Sequence, residues 1–408
     1  MRVASSTLYQ QGLASMNLQQ GSLLHIQQQL GTGRSILTPS DDPVAATRAL
    51  GVSQAQAVNG QYATSRKQTN NALSTEENAL QSVTTVTQNI QTLLVQAGNG
   101  TMSDSDRASV ATALKGLYDQ LLGLANSDDG NGQYLFGGTQ TGSAPFSENA
   151  GGVSYLGDTG HQMMQVDVSR QMAGGDNGRD IFQSVQSSSG YVLKGSSTNT
   201  GTATYGQVST TDPTDPLYGK PLKLTFQANG AGTMQYTITD ESTTPATPVG
   251  GAVNFGSPSQ IQVAGVSFTV SGTPQNGDTI SVEPAKQAGT DMFSNLKSVI
   301  NALNAPLATD TDRANLSNTV ATGIRQFANS LDNVLTVRAS VGSRMQELDS
   351  LNTVGTNRDL TYSQTLSGLQ DLDYASAITD YYQRQTALQG AQQSFMQIQG
   401  LNLFKYLG

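Results

Sequence analysis

The chain has two histidines, His25 and His161, and no cysteine, so thiolate chemistry, disulfides and cysteine-held metals are excluded. An active site would gather titratable groups where their pKa can be shifted. The two histidines stand on segments of different type, and His25 adjoins a patterned apolar seam, which marks a packed or solvent-facing side chain rather than a ligand. The adjacent carboxylates Asp41 and Asp42 have the residue types of an acid/base pair. They stand directly before Pro43, however, where helix capping and interaction with the helix dipole account for them better, with Ser40 as a third capping candidate. No HExxH zinc motif and no GxxxxGK[ST] phosphate loop occurs, and Gly31-Thr32-Gly33 lacks the strand–turn–helix context of a nucleotide fingerprint. The residues predict no catalytic site, no metal and no cofactor.

Charge narrows the partners. Charged residues make up 12% of the 408, against about 25% in ordinary globular chains. With a net charge of -9 and no Lys/Arg patch, there is nothing to release counterions from nucleic acid. No stretch approaches a membrane span, and Met1-Arg2-Val3-Ala4-Ser5-Ser6 opens no apolar run of signal-peptide length. Export, if it occurs, is expected by another route.

The strongest pattern lies at the two chain ends. Tyr9, Leu13, Met16, Gln20, Leu23, Gln27 and Leu30 recur in steps of four and three, the repeat of a coiled-coil seam. Near the other end Ile378, Tyr381, Leu388, Ala391, Phe395 and Ile398 line one helical face, with Gln385 in the gap. Val3 to Gly33 contains no Asp, Glu, Lys or Arg, and Tyr374 to Gly408 has only Asp380, Arg384 and Lys405. A water-facing coiled coil carries Glu and Lys on its outer positions. These ends carry Gln, Ser, Thr and Asn, which suit packing against more protein. The expected subunit-interface residues are Leu13, Met16, Leu23, Leu30, Ile378, Tyr382, Leu388, Phe395, Ile398 and Leu401. Of the aromatic segments, Phe136 and Tyr381 are expected in the core and Tyr382 at a contact between subunits.

Between the ends the period changes twice. A very long helix is expected from Pro43 to Ala97, and another from the Ser103/Asp106 capping pair to about Ala125. Residues 190–285 alternate with a period of two, as in Leu222–Ala228 and Met234–Ile238 about an Asn229-Gly230 turn. Helix returns near Thr290, breaks at Ala305-Pro306, resumes after Asp310 to about Val354, and is interrupted at Gly355-Thr356-Asn357 before a last helix from Asp371 or Asp373. The fold class is α+β. Residues 1–42 and 371–408 are expected as a terminal coiled-coil domain, 43–189 and 286–370 as a helical rod domain with short β segments, and 190–285 as an inserted β-rich outer domain.

Leu30-Gly-Thr-Gly-Arg-Ser-Ile-Leu-Thr-Pro-Ser-Asp-Asp-Pro-Val-Ala-Ala46 resembles the N-terminal signature of the bacterial flagellin family, and Asp371-Leu-Asp-Tyr-Ala-Ser-Ala-Ile378 the start of its C-terminal helix. Tyr134-Leu-Phe-Gly-Gly-Thr-Gln-Thr-Gly-Ser-Ala-Pro-Phe146, Tyr155-Leu-Gly-Asp158, Val166-Asp-Val-Ser-Arg-Gln-Met172 and Leu403-Phe-Lys-Tyr-Leu407 are similar to its hook-associated members. The resemblance implies a flagellin-like fold: coiled-coil rods from both chain ends line a central channel, and the β insert faces outward. It implies an extracellular structural subunit, not an enzyme, forming a tubular layer of its own copies between a neighbouring hook-associated protein and flagellin. Export as an unfolded chain through the flagellar type III apparatus, with a chaperone, is implied as well. The filament subunit shares the end helices, so the Tyr134–Phe146 passage and the ending carry the distinction. An adhesive or carbohydrate-binding role for residues 190–285 rests on their exposed loops alone.

Overall fold

The computed structural model describes residues 2–186, 188 and 190–404, and the side chains among them except those of residues 2–6, 8 and 398–404. Its described residues form two compact units, one up to Thr64 and from Ser350 on, the other Ser65–Asp349.

Helix α1 (Arg2–Thr32) is followed by α2 (Pro43–Ala97), whose proline sits in the first turn, where no N–H is needed. α3 (Asp104–Ala125) starts at the expected capping box: Ser103 Oγ accepts from the Asp106 N–H at 3.2 Å, and Asp106 Oδ2 accepts from the Ser103 N–H at 3.3 Å. Two short hairpins follow, β1 (Phe146–Asn149) with β2 (Gly152–Tyr155) and β3 (Met163–Asp167) with β4 (Arg170–Ala173), then the single-turn α4 (Gly178–Phe182).

The β-rich segment comprises β5 (Tyr191–Gly195), β6 (Thr204–Tyr205), β7 (Ser209–Thr210), β8 (Leu222–Ala228), β9 (Met234–Asp240), β10 (Thr247–Pro248), β11 (Val253–Asn254), β12 (Ser259–Val263), β13 (Val266–Ser271) and β14 (Thr279–Pro284). One sheet runs β10-β9-β8-β14-β5 with β11 also on β9, and the other runs β12-β13-β6 with β7 also on β13. Alternation sends Leu222, Leu224, Phe226, Ile280 and Val282 of the first sheet and Ile261, Val266, Phe268 and Val270 of the second into one apolar cluster. In the β8–β9 hairpin the connection spans Asn229–Thr233: the Asn229 N–H donates to Thr233 O, and Asn229 Oδ1 accepts from the Ala231 and Thr233 N–H groups.

The chain ends with α5 (Met292–Asn304), α6 (Asp310–Gln370) and α7 (Tyr374–Phe404). The expected interruption at Gly355-Thr356-Asn357 is absent, and α6 continues through it. One glycine in a helix interior costs only about 1 kcal/mol relative to alanine. Here Gly355 O accepts from the nearly buried Asn59 Nδ2 of α2 at 2.9 Å, and that buried bond holds the turn.

The Tyr134–Phe146 passage becomes a packed corner. Phe136, Phe146, Phe182 and Phe293 form an aromatic cluster with centroids 5.4–6.0 Å apart. Gly138 adopts φ +72, and a side chain there would strike the Asp158 carboxylate and carbonyl. Asp158 in turn accepts from the Thr139 hydroxyl and from the Thr139 and Gly160 N–H groups, the latter two at 2.9 Å, and the Thr139 hydroxyl foremost, with those N–H donors, holds its carboxyl below the usual range. The two matched segments 134–146 and 155–158 therefore read as one knot, with Phe136 fully buried.

Candidate assembly interface

The α1 N-terminal seam meets α7 along its length. The Tyr9 and Phe395 rings lie 5.0 Å apart, and a Cβ at Gly12 would sit 3.3 Å from Phe395 Cδ2. Further along, Ile26 is 7% exposed, and Ala377 and Leu388 are likewise buried. Among the covered or partly covered positions of α1, Gly12, Met16, Gln19, Leu23, Ile26 and Leu30 form a four–three seam, with Ser22, His25 and Gln29 partly covered beside it.

This covered seam is not the one that apolarity alone selects. It shares Met16, Leu23 and Leu30 with the expected seam but replaces Leu13, Gln20 and Gln27, which are exposed, by Gly12, Gln19 and Ile26. On α7 the inward position at the first turn belongs to Ala377, while Ile378 faces out. Small side chains let the backbones approach closely, a signal that hydrophobicity counting overlooks. Leu13 is 43% exposed and Tyr382 62%, with Leu18, Leu24 and Met396 open as well. Tyr381 stacks edge-on to Tyr382 at 5.7 Å and is partly covered. Ile398, Leu401 and the ending at 403–407 lie outside the described side chains.

Two grooves flank the pair. One of about 390 Å³ is lined by Met16, Gln20, Leu388, Phe395 and Met396, and one of about 580 Å³ by Leu18, His25, Ile26, Asp380 and Arg384.

The base of the pair is fixed by the segments 30–46 and 371–378, which meet each other. Ser35 N–H donates to Gln370 O at 2.7 Å, Leu372 N–H donates to Gly33 O at 3.0 Å, and Arg34 bridges Asp371 in antiparallel fashion. Gly33 has φ +70, and a Cβ there would lie 2.9 Å from Tyr374 Oη, so this position calls for glycine. Asp373 Oδ1 accepts from the Ala375 and Ser376 N–H groups and caps α7.

Of the three capping candidates before α2, Asp42 Oδ1 accepts from the Val44 and Ala45 N–H groups at 3.0 and 2.9 Å. Asp41 closes the preceding turn, its Oδ2 accepting from the Thr38 and Leu37 N–H groups. The Thr38 N–H foremost, with Leu37 and His25 adding to it, holds the Asp41 carboxyl down at about 2. His25 Nε2 stands 3.1 Å from Asp41 Oδ1, tying α1 to this turn. Ser40 Oγ meets Thr38 Oγ1. Among the described residues, no group of three or more His, Asp or Glu side chains is placed to hold a metal, and no helix is long and apolar enough to cross a membrane.

Long terminal helices that cover each other on one side only, in a chain whose middle segment carries β-sheets, define a flagellin-type subunit, and residues 3–141 match the bacterial flagellin N-terminal helical region. The chain is 34% identical to flagellar hook-associated protein 3 of Escherichia coli K12 over 406 residues, covering 99% of each. It is 32% identical to that of Salmonella typhimurium, again over 99% of each. The solved flagellar junction protein FlgL from Legionella pneumophila superposes with a TM-score of 0.67 at 26% identity, covering 79% of this chain and all of that one. The chain belongs to the flagellar hook-associated protein 3 family.

Proposed function

We propose that the chain is a non-catalytic structural subunit of the bacterial flagellum that forms the junction layer between hook and filament. Its copies assemble side by side in a tubular layer, meeting a neighbouring hook-associated protein on one side and flagellin on the other. The observation that carries this reading is the set of exposed apolar side chains on paired, nearly charge-free terminal helices: Tyr9, Leu13, Leu18 and Leu24 on α1, and Ile378, Tyr382 and Met396 on α7. Such a surface costs solvation in an isolated subunit and gains it back when a neighbour covers it. Assembly is therefore coupled to ordering of the ends, with binding supplying the free energy that ordering costs.

In the same reading, residues 1–42 and 371–408 line the channel, 43–189 and 286–370 form the rod, and 190–285 face outward. Export through the flagellar apparatus requires the ends to stay unpaired until delivery, a task for a chaperone. Immunogold microscopy of intact flagella with antibody against residues 190–285 tests the location. A single narrow gold band where hook meets filament is expected. Gold along the whole filament, or none on flagella that contain the protein, contradicts it.

A further inference from the structure

Glu76 on α2 is 2% exposed. Its Oε1 accepts the Asp176 N–H at 3.0 Å, while Oε2 has no hydrogen-bond partner. The segment it grips, residues 174–177, follows β4 and begins with Gly174-Gly175. Arg344 of α6 holds the same segment from another side, pairing with the Asp176 carboxylate and donating from Nη1 to Ala173 O at 3.1 Å. His161 Nδ1 lies 3.2 Å from Gly175 O and 3.7 Å from Asp176 Oδ1. Asp129 and Tyr134 line the same cavity of about 710 Å³, whose lining includes no Lys, Arg or His. The neighbouring Glu77 is engaged separately by Arg338 at 2.5 Å.

A carboxylate oxygen buried without a donor beside a second carboxylate is tolerable when the group carries a proton. We propose that Glu76 and Asp176 form an alkali-sensitive latch, which holds residues 174–177 against α2 and releases them when Glu76 loses its proton. Burial first, and the Asp176 charge second, push the Glu76 carboxyl up to about 8. A carboxyl raised by folding binds its proton more tightly in the folded state. The stability it lends is full below its ordinary value of 4.5 and is lost as pH rises through about 8.

Arg170 and Arg179 bracket the latch, so trypsin cleavage after these residues reports its opening. Products of the full-length chain are identified by mass spectrometry, and rates are normalised to a peptide substrate at each pH. Between pH 7 and pH 9 the wild-type rate should rise about tenfold, whereas Glu76→Gln should stay within about twofold. His161→Gln should keep the wild-type rise. A flat wild-type profile, a Glu76→Gln profile that rises alike, or loss of the rise in His161→Gln overturns the latch. A second readout needs no variant. With carboxyl-¹³C glutamate in the wild-type chain, one of its six glutamates should titrate near pH 8. Six signals all titrating in the ordinary carboxylate range contradict the proposal.

Discussion

Residues 65–349 and the paired terminal helices bury their apolar side chains in different ways. In the first region Phe136, Phe182, Phe226 and Phe293 are fully buried, and the inner faces of two sheets and several helices close over them. In the second, Ile26 and Leu388 are buried while Leu13, Leu18, Leu24 and Tyr382 stand open on the same helices. The middle completes its own core, and in the assembly proposed above the ends complete theirs with neighbours. Under the proposed export and assembly, a subunit delivered before it polymerises gains from that division, since the surface that drives self-association is then the part that is last to order.

Substitutions on the two sides of this division should separate cleanly. Phe293→Ala removes a ring shared by Phe146 and Phe182 and should cost about 3–5 kcal/mol, read as a lower Tm of the main unfolding transition. An effect under about 1 kcal/mol would mean that the aromatic corner is loosely packed. Gly33→Ala forces a left-handed backbone on alanine and should cost about 1–2 kcal/mol, confined to protection of residues 31–40 and 366–374 in hydrogen exchange. Any comparable fall in the main transition would break the comparison. Asp42→Ala loses the cap of α2 and should cost about 1 kcal/mol, seen as faster exchange over residues 43–50. Leu13→Asp should change the stability of the isolated subunit by no more than about 0.5 kcal/mol yet abolish assembly, scored by whether the variant restores junctions on cells lacking the protein.

Much of this division is visible in the residues. The helix of α1, the capping box at Ser103 and the period-two runs from Leu222 onward each follow from local geometry, so pattern alone locates them. Gly355 misleads because its local cost is small beside a buried bond from Asn59, 296 residues away, which no window along the chain contains. The choice between two overlapping seams on α1 is likewise settled by Gly12 against Phe395, a long-range fit that apolar counting ranks in the wrong order. Glu76 lies within an ordinary helical stretch, and its burial depends on Asp176 and Arg344 arriving from far along the chain.

Hydrogen exchange on the purified subunit, with its monomeric state established by light scattering, tests the central claim most directly. The account predicts slow exchange across the α2, α3, α5 and β-sheet cores within residues 65–349 and fast exchange across residues 7–30 and 375–397, becoming slow when the subunit enters assembled flagella. Strong protection of both terminal segments in the proven monomer would show that the ends are ordered without neighbours, and would contradict it.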